Sequence, residues 1–183
     1  MPLYFWEDTD NKKYREAYFE YFKPNGKNVW RHGDYVIIHS ETGGITFCGR
    51  SDAVIKASGV RVGTSEIYNV VDKLPEVADS LAVGQNWKGD QRIILFVKLA
   101  QDNHLSRDLE EKIRKTLRVE ASPKHVPALI LEVPDIPYTF NMKKVETAVA
   151  NIVNNRLVTN RDALANPESL DFYTKLLPLL HRE

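Results

Sequence analysis

Apolar residues recur along this chain with a helical period in some stretches and as short β-rich runs in others. Across residues 64–74, Ile67, Val70, Val71 and Leu74 sit at i, i+3, i+4 and i+7, which predicts a helix capped by Thr64 and ended by Pro75. A second helix from near Ser106 aligns Leu109, Ile113 and Leu117; its acids Glu110 and Glu111 come early and Arg114 and Lys115 late, as the helix dipole favours. Residues 144–154 predict a third, burying Val145, Ala148, Val149, Ile152 and Val153. Asn166-Pro167-Glu168 opens a C-terminal helix running to Leu177, with Pro at its first position. The aromatic stretch 14–22, closed by Pro24-Asn25-Gly26, reads as a short helix.

Between these lie β-rich runs. Residues 35–39 and 45–48 form a strand pair around Glu41-Thr42-Gly43-Gly44, and 52–55 and 60–62 flank Ser58-Gly59 as a tighter hairpin. Runs 77–83 and 93–99, separated by Asn86-Trp87-Lys88-Gly89-Asp90, pair antiparallel. A loop bracketed by Ser122-Pro123 and Pro127 leads into an apolar strand over 128–131. None of the connections has the regular crossovers of a parallel sheet, so the expected class is α+β: a small, mainly antiparallel sheet flanked by helices.

Composition narrows the function classes. At 183 residues and 43% hydrophobic, the chain suits one soluble domain, or one domain and a flank, with a core that needs no staples. Its lone Cys48 excludes an intramolecular disulfide and, beside Phe47 in a strand, reads as a small core residue. Neither a membrane-spanning run nor a basic signal-peptide start is present, so the expected location is cytoplasmic. With 25 acidic and 25 basic side chains the net charge is zero, which removes the electrostatic footprint for nucleic acid. His32, His39, His104, His125 and His181 lack metal-ligand spacing, and no metal site is assigned. The same length is small for an enzyme that must hold two or three substrates.

Three constellations put charge beside Gly, Pro or Asn, where backbone can approach a ligand: Trp30-Arg31-His32-Gly33-Asp34; Gly49-Arg50-Ser51-Asp52 with Ser58-Gly59-Val60-Arg61; and Pro137-Tyr138-Thr139-Phe140-Asn141-Met142-Lys143-Lys144. Singly, each also reads as a solvated surface turn. In this order and spacing, together with Gly63-Thr64-Ser65-Glu66-Ile67 and a tail around Asn166-Pro167-Glu168, the chain resembles the adenylate-forming superfamily of acyl-CoA synthetases, luciferases and peptide-synthetase adenylation domains. The wording is most similar to its acetoacetate-activating members, over essentially the whole chain.

The resemblance implies ligase chemistry. An acid and MgATP give an acyl-adenylate and pyrophosphate, and coenzyme A then takes the acyl group. A large N-terminal domain binds ATP and acid, and a mobile C-terminal domain closes over it in two orientations. Residues 1–51 correspond to the end of the large domain and 52–183 to the C-terminal domain, so the fragment alone is expected to be inactive. Lys143 matches the catalytic lysine, whose ammonium bridges carboxylate and α-phosphate in an anionic transition state. Met142 stands where the family carries Gly, and Lys144 is an adjacent rival ammonium; the spacing from Pro137 favours Lys143.

Asp34 matches the acceptor for the ATP ribose hydroxyls, and Arg50 and Arg61 match nucleotide-contacting arginines. A salt bridge to a neighbouring side chain is the plainer reading of all three. Asp52 matches the hinge, Ser58 and Gly59 the loop lining the pantetheine tunnel, and Arg118 an arginine on the coenzyme A phosphates, though an Arg at a helix end also simply complements the dipole. Magnesium would arrive with ATP, and a lysine acetyltransferase is an implied partner for Lys143. The alternative is a stand-alone module that binds coenzyme A or a protein without catalysis.

Overall fold

The computed structural model describes residues 2–51, 53–159 and 161–181. Asp52, the hinge candidate, lies outside the described residues, as does the Cys48 side chain. The backbone divides into two compact units, Met1–Asp34 and Tyr35–Glu183.

In the first unit, α1 (Lys12–Tyr18) begins earlier than the aromatic stretch suggests. The Asp8 carboxylate accepts the amides of Lys13 and Tyr14, each at 2.8 Å, which satisfies donors the first turn leaves without partners. Phe5, Tyr14 and Tyr18 meet edge to face with centroids 5.2–5.9 Å apart, so the aromatic residues knit a small local cluster around this helix.

The second unit is built on a five-stranded sheet in the order β4-β3-β6-β5, with β7 also on β6. Its strands are β3 (Ile55–Ala57), β4 (Val60–Val62), β5 (Val77–Trp87), β6 (Asp90–Leu99) and β7 (Leu129–Glu132). The long β5/β6 and short β3/β4 pairings are antiparallel, while β7 joins β6 in parallel over four residue pairs and β3 touches it in parallel only at Ala57 and Gln91. A separate two-stranded sheet holds β1 (Asp34–Ile38) and β2 (Ile45–Arg50). Val36, Ile37, Ile38, Ile45 and Phe47 on it are exposed.

Helices cover both faces of the five-stranded sheet. On one, α2 (Thr64–Val71) and α3 (Arg107–Glu120) pack Ile67, Val71, Ile113 and Leu117 against Ile93, Leu95 and Val97 of β6. On the other, α4 (Glu146–Val153) and α5 (Ser169–Leu180) pack Val149, Val153, Leu170 and Tyr173 against Ile94 and Phe96. Successive β6 side chains thus enter different cores, which is why residues 93–97 are an unbroken apolar run rather than an alternating one. Each such large side chain contributes about 1.5–3 kcal/mol by leaving water. The C-terminal helix runs past Pro178 to Leu180, further than the periodicity predicts. Its end is held by Arg92, whose guanidinium donates to the Leu180 carbonyl at 2.6 Å and to Gln85 Oε1 at 2.7 Å.

Candidate functional site

The segment Pro137–Lys144 is a short hairpin laid across the first residues of β5. Tyr138 and Lys144 form an antiparallel bridge, the Thr139 amide donates to the Lys143 carbonyl at 3.0 Å, and the Met142 amide donates to the Thr139 carbonyl at 2.8 Å. That pattern closes a three-residue tip, Phe140-Asn141-Met142, whose third residue takes a left-handed backbone; Met142 has φ 57°. Gly is favoured there because it has no Cβ to clash. Phe140 and Met142 are exposed at the tip, and the chain turns into α4 only at Glu146 because residue 144 is still bridged to Tyr138.

The two lysines differ sharply. The Lys143 side chain is exposed, and among the described residues its ammonium has no acidic partner, while its own amide donates to Thr139 Oγ1 at 3.2 Å. Lys144 is turned inward with a side chain 19% exposed. Its Nζ lies 2.7 Å from Asp79, 3.2 Å from Asp72, 2.8 Å from the Ser80 carbonyl and 4.2 Å from the centre of the Tyr68 ring. The same Asp79 accepts the Tyr138 hydroxyl at 2.6 Å. Burial pushes the Tyr138 phenol well above its ordinary range, and the carboxylate of Asp79 adds to the shift. Tyr68 is also raised, first by burial and then by the charge of Glu146, whose Oε1 accepts its hydroxyl at 3.2 Å.

The remaining candidates of the second unit lie elsewhere on it. Ser58 and Gly59, with φ 49° and 75°, form a two-residue hairpin turn of the kind that needs both residues left-handed. The Ser58 amide donates to Asp90 Oδ2 at 2.9 Å, which ties this turn to the start of β6. Arg61 follows on β4, exposed and opposite Lys56. Arg50 is exposed at the end of β2, where Gly49 has φ 98° and lies close to Ser65. Arg118 is exposed in the last turn of α3.

The β5/β6 ladder separates two of these groups. Asp79, which holds the Lys144 hairpin, pairs with Lys98, whereas Trp87 pairs with Asp90, which holds the Ser58 turn. Eight residue steps at ~3.4 Å each place the two attachment points about 27 Å apart along the strand.

In the first unit, Asp34 Oδ2 lies 2.6 Å from His32 Nδ1. Gly33 between them has φ 90°, and Trp30 packs edge-on against His32.

Sequence reasoning missed the network beneath Lys143. Tyr138 lies in the constellation that carries Lys143, but Tyr68, Asp72, Asp79 and Ser80 come from a helix, its end and a strand far from it in the chain, and no motif singles them out. Among the described residues no group of three His, Cys, Asp or Glu side chains is placed to hold a metal ion, and no helix is long and apolar enough to cross a membrane.

No protein-family model matches the chain. Among curated proteins it is 49% identical over 177 residues to the acetoacetyl-CoA synthetase of Gallus gallus, and 49% identical over 176 residues to the acetoacetyl-coenzyme A synthetase of Rhizobium meliloti (strain 1021). Each match takes in 96% of this chain and 26% of the relative. Among solved structures, the acetoacetyl-CoA synthetase from Streptomyces lividans superimposes with a TM-score of 0.85 at 36% identity, covering 98% of this chain and 26% of that one. The chain thus spans about a quarter of the length of the relatives it matches. In sequence and in fold, it is similar to the C-terminal portion of acetoacetyl-CoA synthetases.

Proposed function

We propose that this chain serves as the C-terminal portion of an ATP-dependent acid–CoA ligase that makes acetoacetyl-CoA in the cytoplasm, working with a large N-terminal adenylating domain. The boundary between the two falls at residues 51 and 52. In the first step a carboxylate oxygen of acetoacetate attacks the α-phosphorus of ATP, and the bond to pyrophosphate breaks. Lys143 bridges the attacking carboxylate and the α-phosphate, where negative charge gathers; losing one such contact costs on the order of a hundredfold in rate. Asp34 accepts the ribose hydroxyls, and Arg50 and Arg61 contact the nucleotide. Magnesium comes with the ATP as its counterion. In the second step the thiol of coenzyme A attacks the acyl carbon and AMP leaves, with Ser58 and Gly59 lining the thiol's path and Arg118 on the coenzyme A phosphates.

The observation that carries this reading is the separation of the two loops along one rigid ladder. A lysine held at one end and a glycine turn held at the other suit two successive reactions, each presented by a different orientation of the same domain about a hinge at Asp52. Exposure of Lys143, with Lys144 already engaged, supports its assignment as the catalytic ammonium and makes it the side chain a lysine acetyltransferase would reach, which would erase its charge.

The test is pyrophosphate release from ATP and acetoacetate by a complete synthetase whose C-terminal portion is this chain. Lys143→Ala is expected to lower the adenylation rate about a hundredfold or more. Wild-type turnover by that variant would overturn the lysine's role, and robust turnover by the 183-residue chain alone would overturn the need for a partner domain. Tight binding of coenzyme A by the isolated chain, without turnover in the complete protein, would instead favour a stand-alone binding module.

A further inference from the structure

The hairpin that carries Lys143 is fastened at both ends to one carboxylate. Tyr138 precedes the tip and Lys144 follows it, and the two are bridge partners. The Tyr138 hydroxyl donates to Asp79 Oδ2 at 2.6 Å, and the Lys144 ammonium meets Asp79 Oδ1 at 2.7 Å. Each arm of the hairpin therefore takes one oxygen of the same side chain, whose place on β5 is fixed by the ladder to β6. A second carboxylate, Asp72 at the end of α2, completes the clasp: it lies 3.2 Å from Lys144 and accepts the Ser80 hydroxyl at 2.5 Å. The ring of Tyr68 covers the ammonium from the side, 4.2 Å away.

This arrangement has more fastening than a surface turn needs. Exposed hairpin tips in proteins move freely, and an ammonium on a mobile tip is a poor electrostatic catalyst because its position must be fixed again in each turnover. Here the residue next to the exposed lysine commits its ammonium to two carboxylates, and the tip carries a left-handed residue, Met142, whose strain the rest of the hairpin must hold in place. We propose that Lys144 is a positioning residue for Lys143, acting through the Asp79 clasp to hold the hairpin in the one geometry that presents the Lys143 ammonium outward. This rests on the reading of Lys143 given above, and it adds a role for its neighbour: the second lysine is a fastener, with no contact to substrate.

Two measurements test it. The first is amide hydrogen exchange on the 183-residue chain, where the amides of Thr139 and Met142 report the hairpin and that of Phe96 reports the core. Lys144→Met is expected to speed exchange at Thr139 and Met142 by about tenfold or more relative to Phe96, with Lys144→Arg restoring most of the protection. Tyr138→Phe, which opens the other arm of the clasp and keeps the charge pairs, is expected to loosen the same amides and serves if Lys144→Met does not fold. Unchanged exchange at Thr139 and Met142, or an equal rise at Phe96, overturns the proposal.

The second is steady-state adenylation by a complete synthetase carrying this chain. Lys144→Met is expected to lower kcat by about ten- to a hundredfold with KM for ATP and acid within about twofold, and Lys144→Arg to recover most of it. A wild-type kcat in Lys144→Met, in an enzyme that Lys143→Ala silences, overturns the positioning role and leaves Lys143 standing. Full activity in Lys143→Ala removes the catalytic reading instead, while a loosened hairpin in Lys144→Met would still show the clasp.

Discussion

Met142 offers a clean test of how the lysine hairpin is built. Its φ of 57° places an L side chain in the left-handed region, which costs about 1–2 kcal/mol for a residue with a Cβ. Met142→Gly removes that cost and adds about 0.5–1 kcal/mol of unfolded-state freedom against it. The methionine is 72% exposed, so truncation gives up only a small part of its burial. The glycine variant is therefore expected to match or exceed the native chain by up to about 1 kcal/mol. Met142→Ala is the control, because it loses the same side chain and keeps the strained backbone, and it should be less stable than the glycine variant by about 1 kcal/mol. Urea titrations followed by circular dichroism measure both, with equal slopes showing that the unfolded states are comparable. If alanine proves as stable as glycine, the left-handed turn is not what residue 142 contributes.

Other outcomes follow from the same packing. Arg92→Met should cost about 1–3 kcal/mol in urea, because it strips a donor from the buried Gln85 and from the Leu180 carbonyl; a loss below 0.5 kcal/mol would deny the clamp on α5. Gly59→Ala should destabilise by about 1 kcal/mol although the space around it is open, since its φ of 75° is the whole objection; a neutral effect in the same titration would contradict the turn. Burial raises the phenols of Tyr68, Tyr138 and Tyr173 above their ordinary value of 10.0, so above pH 10 the folded state keeps protons that the unfolded state releases. Stability should then fall with rising pH by about 1.4 kcal/mol per unit for each such tyrosine. Tyrosinate absorbance rising in step with loss of circular dichroism would show this, and full ionisation of every tyrosine in an intact fold would contradict it.

Much of the fold was legible because single segments carry their own instructions. The stripe Ile67, Val70 and Val71 and the stripe Leu109, Ile113 and Leu117 each mark a buried helix face, although α2 ends at Val71 so that Leu74 falls beyond it, and Thr64 is its first residue with Gly63 at the cap. The Ser58-Gly59 turn was legible for the same local reason, although its strand starts at Ile55 and not at residue 52. What could not be read is what depends on pairing across distance. The parallel docking of β7 on β6 leaves no mark in either strand beyond apolar character. The α4 start shifts from residue 144 to Glu146 because Lys144 spends its backbone on a bridge to Tyr138, a tertiary event. At the candidate site, spacing favours Lys143 over its neighbour, but the engagement of that neighbour by Asp72 and Asp79, 72 and 65 positions upstream of Lys144, could not be read.

The two-stepped ladder of β5 and β6 sets a rule of exclusion. A fixed strand pair with a lysine hairpin at one end and a glycine turn at the other cannot offer both to a single reacting centre, since about 27 Å of hydrogen-bonded backbone lies between their anchors. Whatever pins the domain by one end withdraws the other. On the ligase reading proposed above, a ligand that locks the lysine end in place would block thiol transfer without touching the proposed coenzyme A face, and a wedge at the glycine turn would stop adenylation without ever meeting ATP.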